Sequence, residues 1–256
     1  MSYGSLLKRC LTSLSLVLPN VHYQKNSGYC PCCDTATSFV SFDGWLRDSY
    51  RCTRCLSIPR ERALMLTIEK YRPNWRTLSV HESSPNSSGA SKKLRTQCER
   101  YLASQYYPGV PKGAKHKGFV NQDLGDQTFE SGSFDIVITQ DVLEHVIDPG
   151  RVFEEICRTL KPGGAHIFSV PIVNRHAKSE VRAQQNRDGT IDHLAAPEYH
   201  LNPADERGSL VTMHWGFDIV DAIRARTGMD TVIEDLYGPD YGLSGRFLEI
   251  FVSVKI

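Results

Sequence analysis

The stretch "FDIVITQDVLEHVIDPGRVFEEICRTLKPGGAHIFSVP", residues 134–171, constrains the fold more than any other part of the chain. Phe134 to Gln140 form a continuous apolar run, the pattern of a central parallel strand covered on both faces. Asp148 is a good helix N-cap and Pro149 suits the first helical position, where a missing N–H costs nothing. "KPGG" ends the helix and "AHIFSVP" reads as a second strand. Strand, helix and strand in this order define a parallel pair joined by a right-handed crossover.

The flanking sequence extends the alternation. Strands are expected near 76–82, 100–106 and 117–121, with a helix over about 88–99 that begins near Ser87 or Ser88. Residues 171–215 lack clear periodicity and are long for a connection, a length usually reserved for functional loops. A helix follows at about 217–227, and "TVIEDLY" and "FLEIFVSVK" close the chain as strands. The expected fold is α/β, a doubly wound, Rossmann-like seven-stranded sheet. Its ligand belongs at the carboxyl ends of the strands, at the switch point beside the first strand.

In front lies a cysteine cluster. Two residues lie between Cys30 and Cys33 and two between Cys52 and Cys55, and eighteen residues separate the pairs. Two such knuckles face to face give four thiolates for a tetrahedral Zn²⁺. A module this small lacks a core of its own, and a metal supplies one. Cys32 could stand in for Cys33, but the two-residue spacing favours Cys33. Four protein ligands leave no open position, so this zinc is expected to be structural. The division expected is an N-terminal extension at 1–27, a zinc ribbon at 28–60, and an α/β domain at 61–256 that carries the 171–215 insert.

Charge is nearly balanced, 30 Lys+Arg against 29 Asp+Glu, which disfavours a dedicated nucleic-acid binder. No run reaches the roughly 18 apolar residues of a membrane span. The N-terminal "LLKRCLTSLSLVLP" is interrupted by Lys8 and Arg9 and reads as an amphipathic helix that docks on the body or on a partner. Clustered cysteines suit metal in a reducing compartment, and a cytoplasmic location is expected.

Residues 134–171 resemble the second half of a class I S-adenosylmethionine-dependent methyltransferase. The likeness rests on an aromatic-Asp strand, a Glu-His pair after it and a Leu-Lys-Pro-Gly-Gly turn. It extends over about 76–256, and "YRCTRCLSIPRERAL" resembles the subgroup with an N-terminal zinc ribbon. The resemblance implies a cofactor site around "HESSPNSS" after the first strand. There His81 takes the family's acidic position, and Ser83 and Pro85 take its glycines. Gln105 stands where an acidic residue usually grips the ribose, and Asp123 matches the acidic position near the adenine amine. Glu82, Ser84, Leu124 and Gln140 complete the expected cofactor lining.

Methyl transfer from a sulfonium needs an in-line nucleophile and removal of its proton. His145, just past the fourth strand, is the expected base, because imidazole accepts a proton near neutral pH. His200 and His214 on the insert are the alternatives. Asp141, Glu144, Glu198, Tyr199 and Asn202 are expected to bind the acceptor, a small molecule or saccharide offering a hydroxyl. Two other readings remain open: a zinc-ribbon rRNA base methyltransferase, and a non-catalytic binding protein with an altered pocket.

Overall fold

A computed structural model describes residues 23–202 and 205–256. The expected N-terminal helix falls on residues outside these. β1 (Gln24–Cys30) and β2 (Thr35–Ser41) form a hairpin, and β3 (Arg51–Cys52) pairs with the other edge of β2. One helical turn, α1 (Leu46–Ser49), precedes β3. α2 (Pro59–Tyr71) follows, with Pro59 at its first position and the Glu61 carboxylate accepting from the Ile58 N–H at 2.9 Å. That bond satisfies a donor that the first turn of a helix otherwise leaves open.

The main sheet then runs β4 (Ser79–Ser83), α3 (Gly89–Gln97), β5 (Arg100–Gln105), β6 (Lys115–His116), β7 (Phe119–Asn121), β8 (Phe134–Gln140), α4 (Pro149–Thr159) and β9 (Leu160–Ser169). Three small antiparallel pairs form a cap: β10 (Glu180–Val181) with β15 (Met213–His214), β11 (Ala183–Gln185) with β12 (Ile191–His193), and β13 (Tyr199–Asn202) with β14 (Asp205–Leu210). α5 (Ile219–Thr227), β16 (Asp230–Glu234) and β17 (Ile250–Val254) complete the chain.

The sheet has eight strands where seven are expected, in the order β16-β17-β9-β8-β4-β5-β7-β6. The extra strand is the two-residue β6, which folds back antiparallel on β7. It lies in the basic "PKGAKHKG" segment, and two residues are too few to leave a periodic signal. β7, β5, β4, β8 and β9 are parallel; β17 runs antiparallel to β9, and β16, antiparallel to β17, runs with the parallel set again. From β4 the chain winds outward to β5 and β7, then returns to β8 on the other side. The switch point therefore lies between β4 and β8.

The N-terminal module is built into the domain. One apolar cluster joins Cys30, Phe39 and Tyr50 to Trp75, Val80, Ile136 and Ile250. The buried Lys93 of α3 donates to the Pro31 carbonyl at 2.9 Å and to Asp34 at 2.8 Å. Among the described residues no helix is long and apolar enough to cross a membrane.

Two buried histidines brace the sheet. His81 lies between Phe129 and Phe134, each 5.0 Å away between ring centres, with Nε2 2.8 Å from the Ser104 hydroxyl. His166 stacks on Phe168 at 4.3 Å and meets the Thr139 hydroxyl at 3.0 Å. Burial pulls both down to about 3, so they stay neutral in the folded chain at pH 7. Unfolded, each takes up a proton near pH 6.5. The unfolded state therefore binds more protons between about pH 6.5 and about 3, and stability falls as pH falls through that window. Each histidine contributes a slope of about 1.4 kcal/mol per pH unit. In urea titrations between about pH 6 and pH 4, His81→Gln should flatten the slope by about that amount. An unchanged slope would mean that His81 is charged in the folded state.

Candidate functional site

The site begins where β4 ends. Side chains alternate across a strand, so neighbours His81 and Glu82 face opposite sides of the sheet. His81, expected to line the cofactor, is a core residue with no exposed surface. It is Glu82 that faces the strand-to-helix turn. Its carboxylate, also fully buried, accepts from the Ser91 hydroxyl at 2.6 Å, the Tyr101 hydroxyl at 2.7 Å and Gln140 Nε2 at 2.9 Å. Burial pushes its pKa up against the pull of those three donors. With its lone pairs engaged, Glu82 is placed to fix α3, β5 and β8 relative to one another.

The turn itself answers the lack of glycine. Ser84 adopts φ 55°, the left-handed conformation that glycine takes without cost and other residues take with strain. Its N–H is held by the Ser104 carbonyl at 2.8 Å. The first glycine reached, Gly89, has φ 56°, and a Cβ there would lie 2.1 Å from a carboxylate oxygen of Glu61. The glycine is needed because Glu61, buried and capping α2, passes directly beneath the start of α3. Asn86 Nδ2 reaches the same carboxylate at 3.4 Å.

The other expected cofactor residues gather at the same edge. Ser83 ends β4 and pairs with Ser104 and Thr139 on either side. Gln105 ends β5 beside Asn121 of β7. Asp123 is exposed just past β7 and its carboxylate accepts from the Gly125 N–H at 2.9 Å, while Leu124 is buried. Gln140 ends β8, and its Oε1 is buried with no hydrogen-bond partner among the described residues.

Past β8 stands an ionic cluster that the sequence did not announce. Asp141, at φ 51°, accepts from Arg47 Nη2 at 2.6 Å and from the Ser169 hydroxyl at 2.9 Å, and forms an ion pair with Arg60, whose Nε is 3.2 Å away. Burial alone would raise the Asp141 pKa, but Arg60 and Arg47 more than offset it and hold the carboxyl well below its usual range. Asp141 is thus committed to two arginines of the N-terminal module and is not free to bind an acceptor. Arg47 lies in no recognisable motif, Arg60 lies in the stretch 50–64 without a role that its spacing announces, and the contacts span more than eighty residues of chain.

Glu144, His145 and His200 converge next to it. The Glu144 side chain is almost wholly buried, and neither carboxylate oxygen has a hydrogen-bond partner among the described residues. Burial, then the charge of Asp141, push its pKa well above the ordinary value. His145 Nε2 is 3.8 Å and His200 Nδ1 4.0 Å from Glu144 Oε1. Burial pulls the His145 pKa down. His214, expected as an alternative base, instead pairs through Nε2 with Glu198 at 2.8 Å. Tyr199 is exposed on β13, and the Asn202 side chain falls outside the described residues.

The four cysteines come together as the spacing requires. Sγ atoms of Cys30 and Cys55 are 3.6 Å apart and those of Cys33 and Cys52 3.8 Å, with all four mutually close. Cys32 points elsewhere, to the Glu61 carbonyl at 3.6 Å.

Residues 85–168, from the turn after β4 to β9, match the family model described as a methyltransferase domain. A glycine/sarcosine/dimethylglycine N-methyltransferase of Actinopolyspora halophila is 32% identical over 125 residues, 49% of this chain and 20% of that protein. A ubiquinone biosynthesis O-methyltransferase of Caulobacter vibrioides is 45% identical over 49 residues, 19% of each. The chain thus spans about a fifth of the length of these relatives. Among solved structures, an S-adenosylmethionine-dependent methyltransferase from Mesorhizobium loti aligns at 17% identity with a TM-score of 0.49, covering 76% of this chain and 98% of that chain.

Proposed function

We propose that the chain transfers a methyl group from S-adenosylmethionine to a polar acceptor, a hydroxyl of a sugar or natural product. The observation that carries this reading is the position of the family-matching segment. It supplies Gln105, Asp123 and Gln140 at the carboxyl ends of parallel strands, beside the switch point. The residues fit the cofactor. Gln140 Oε1 is a buried acceptor with no partner among the described residues, suited to an ammonium group. The left-handed turn at Ser84 shapes the loop as glycine would.

Ser83, Ser84, Gln105, Asp123, Leu124 and Gln140 would hold the cofactor, which supplies a methyl group on a good leaving group. What remains for the chain is to position the acceptor and take its proton. Glu144, His145 and His200 are the groups for that proton, standing beyond β8 under the cap. His145→Ala should lower turnover by about 10²–10⁴ with cofactor affinity kept.

The N-terminal module would hold a structural zinc. Thiolates about 2.3 Å from a tetrahedral ion stand about 3.8 Å apart, and the Sγ separations agree. A cytoplasmic location suits reduced cysteines at such a site.

Calorimetry with S-adenosylhomocysteine tests the cofactor site. Binding is expected, and Asp123→Ala should weaken it by about 1–3 kcal/mol. No heat and no thermal shift at saturating ligand would leave the pocket vestigial and sink the methyl-transfer reading.

A further inference from the structure

We infer that Glu144, His145 and His200 form a second metal site, distinct from the cysteine cluster, for a first-row divalent cation. The three donor atoms lie within 4.8 Å of one another. Each imidazole is held by its other nitrogen. His145 Nδ1 lies 2.9 Å from the Leu210 carbonyl. A carbonyl only accepts, so Nδ1 carries the proton and the Nε2 lone pair is left toward Glu144. His200 Nε2 lies 3.4 Å from a Glu198 carboxylate oxygen, which favours the proton on Nε2 and a lone pair on Nδ1. Glu198 is itself fixed by His214 at 2.8 Å. An imidazole whose far nitrogen donates to a carbonyl, and one whose far nitrogen faces a carboxylate, have the arrangement of metal ligands, because such contacts set tautomer and ring direction.

Glu144 supplies the second, independent observation. Its carboxylate is buried, aimed at both free lone pairs, and has no hydrogen-bond partner among the described residues. A buried carboxylate without a donor is costly, and a cation between it and the imidazoles removes that cost. Donors about 2.1 Å from such an ion stand about 3.4 Å apart. The separations of 3.8 and 4.0 Å need to close by only about half an ångström. Two nitrogens and one carboxylate suit zinc or ferrous iron and leave positions open for a further ligand. The neighbouring arginines do not oppose the charge, since Arg47 and Arg60 are paired with Asp141 and Asp48.

One consequence rests on the methyl-transfer reading: an acceptor hydroxyl bound at an open position would have its pKa lowered by the cation. In the metal-loaded chain the imidazoles are ligands, the cation takes over the base role proposed above for His145, and the hydroxyl proton passes to solvent. The acceptor class narrows to oxygen compounds that can ligate a metal, such as a diol or a hydroxy acid.

Zinc itself is the probe. The full chain, equilibrated with excess zinc and passed through gel filtration, is expected to carry two zinc ions by elemental analysis. His200→Ala, on the partly exposed cap, and Glu144→Gln are each expected to carry one, with wild-type circular dichroism. Cobalt substitution separates the sites, because thiolate charge-transfer bands belong to the cysteine cluster and should survive in both variants. A single zinc in the wild-type chain overturns the proposal, as do two in either variant. Binding of S-adenosylhomocysteine, measured on the same samples, distinguishes failure of this site from failure of the methyl-transfer reading.

Discussion

Stripping zinc from the four cysteines with a strong chelator is expected to unfold the N-terminal module and to loosen the candidate site with it. The module has little core of its own, and Cys30 and Cys52 are among its few fully buried side chains. Structural zinc sites of this type contribute apparent binding free energies of about 10–16 kcal/mol near neutral pH. Losing that contribution leaves the three-stranded sheet, itself marginal in water, held only by its share of the common apolar cluster and by Lys93 and Arg62. The damage does not stop there. Arg47 and Arg60 come from this module and are the two counter-charges of Asp141. Released, they leave a buried carboxylate without its counter-charges, at the end of the strand that carries Gln140. The chelated protein should therefore lose hydrogen-exchange protection in β1 and β2 first. It should then unfold at a lower temperature and bind S-adenosylhomocysteine more weakly. Cys52→Ser should reproduce this, and Cys32→Ser should not, because the Cys32 sulfur faces the Glu61 carbonyl and not the other thiols. Unchanged cofactor affinity in chelated protein would show that the module and the site are independent.

This coupling marks where the sequence stopped being legible. Local signals carried far. The apolar run 134–140 is a strand over that whole range, and Asp148 caps α4, accepting from the Arg151 N–H at 3.0 Å. Both signals lie within one element, so chemistry and period sufficed. The Asp141–Arg47 contact joins residues 94 apart, and no spacing rule reaches that distance. At β4 both His81 and Glu82 are expected at the cofactor, and only Glu82 faces the turn. Aligning His81 with an acidic position places its side chain on the wrong face, since a shift of one residue on a strand inverts every side chain. Glu82, also expected there, is the carboxylate at the next position and takes the acidic place instead. The cap resisted for another reason: strands of two to four residues, as in β10, β12 and β13, are too short to show alternation. Its histidines were visible as candidates, but only the folded cap brings His200 to Glu144 and His214 to Glu198.

Arg62 is expected to be the costliest single side chain to remove outside the cysteines. It is a fully buried guanidinium without a carboxylate partner within salt-bridge distance among the described residues, and it is held by backbone carbonyls. Nε donates to Tyr241 at 3.0 Å, and Nη2 donates to Tyr50 at 2.8 Å and Gly242 at 2.7 Å. Nη1 donates to the Ser57 carbonyl, and the guanidinium carbon sits 4.5 Å from the centre of the Phe39 ring. These partners belong to the N-terminal module and to the loop before β17, so one side chain closes the module onto the far end of the chain. Burial pulls the Arg62 pKa down, yet an arginine stays protonated through such a shift. Replacing a buried ion pair by apolar residues is often harmless, because both charges leave together. Here the partners are main-chain carbonyls that remain after substitution. Arg62→Met fills much of the volume but leaves those carbonyls buried without donors, at about 1–3 kcal/mol for each that water cannot reach. Arg62→Lys keeps the charge but lacks the planar fork that serves several carbonyls at once. Chemical denaturation should show a loss of about 3–5 kcal/mol for Arg62→Met and a smaller one for Arg62→Lys. If Arg62→Met costs less than about 1 kcal/mol, water must reach those carbonyls, and the closure of the module rests on zinc and Lys93 instead.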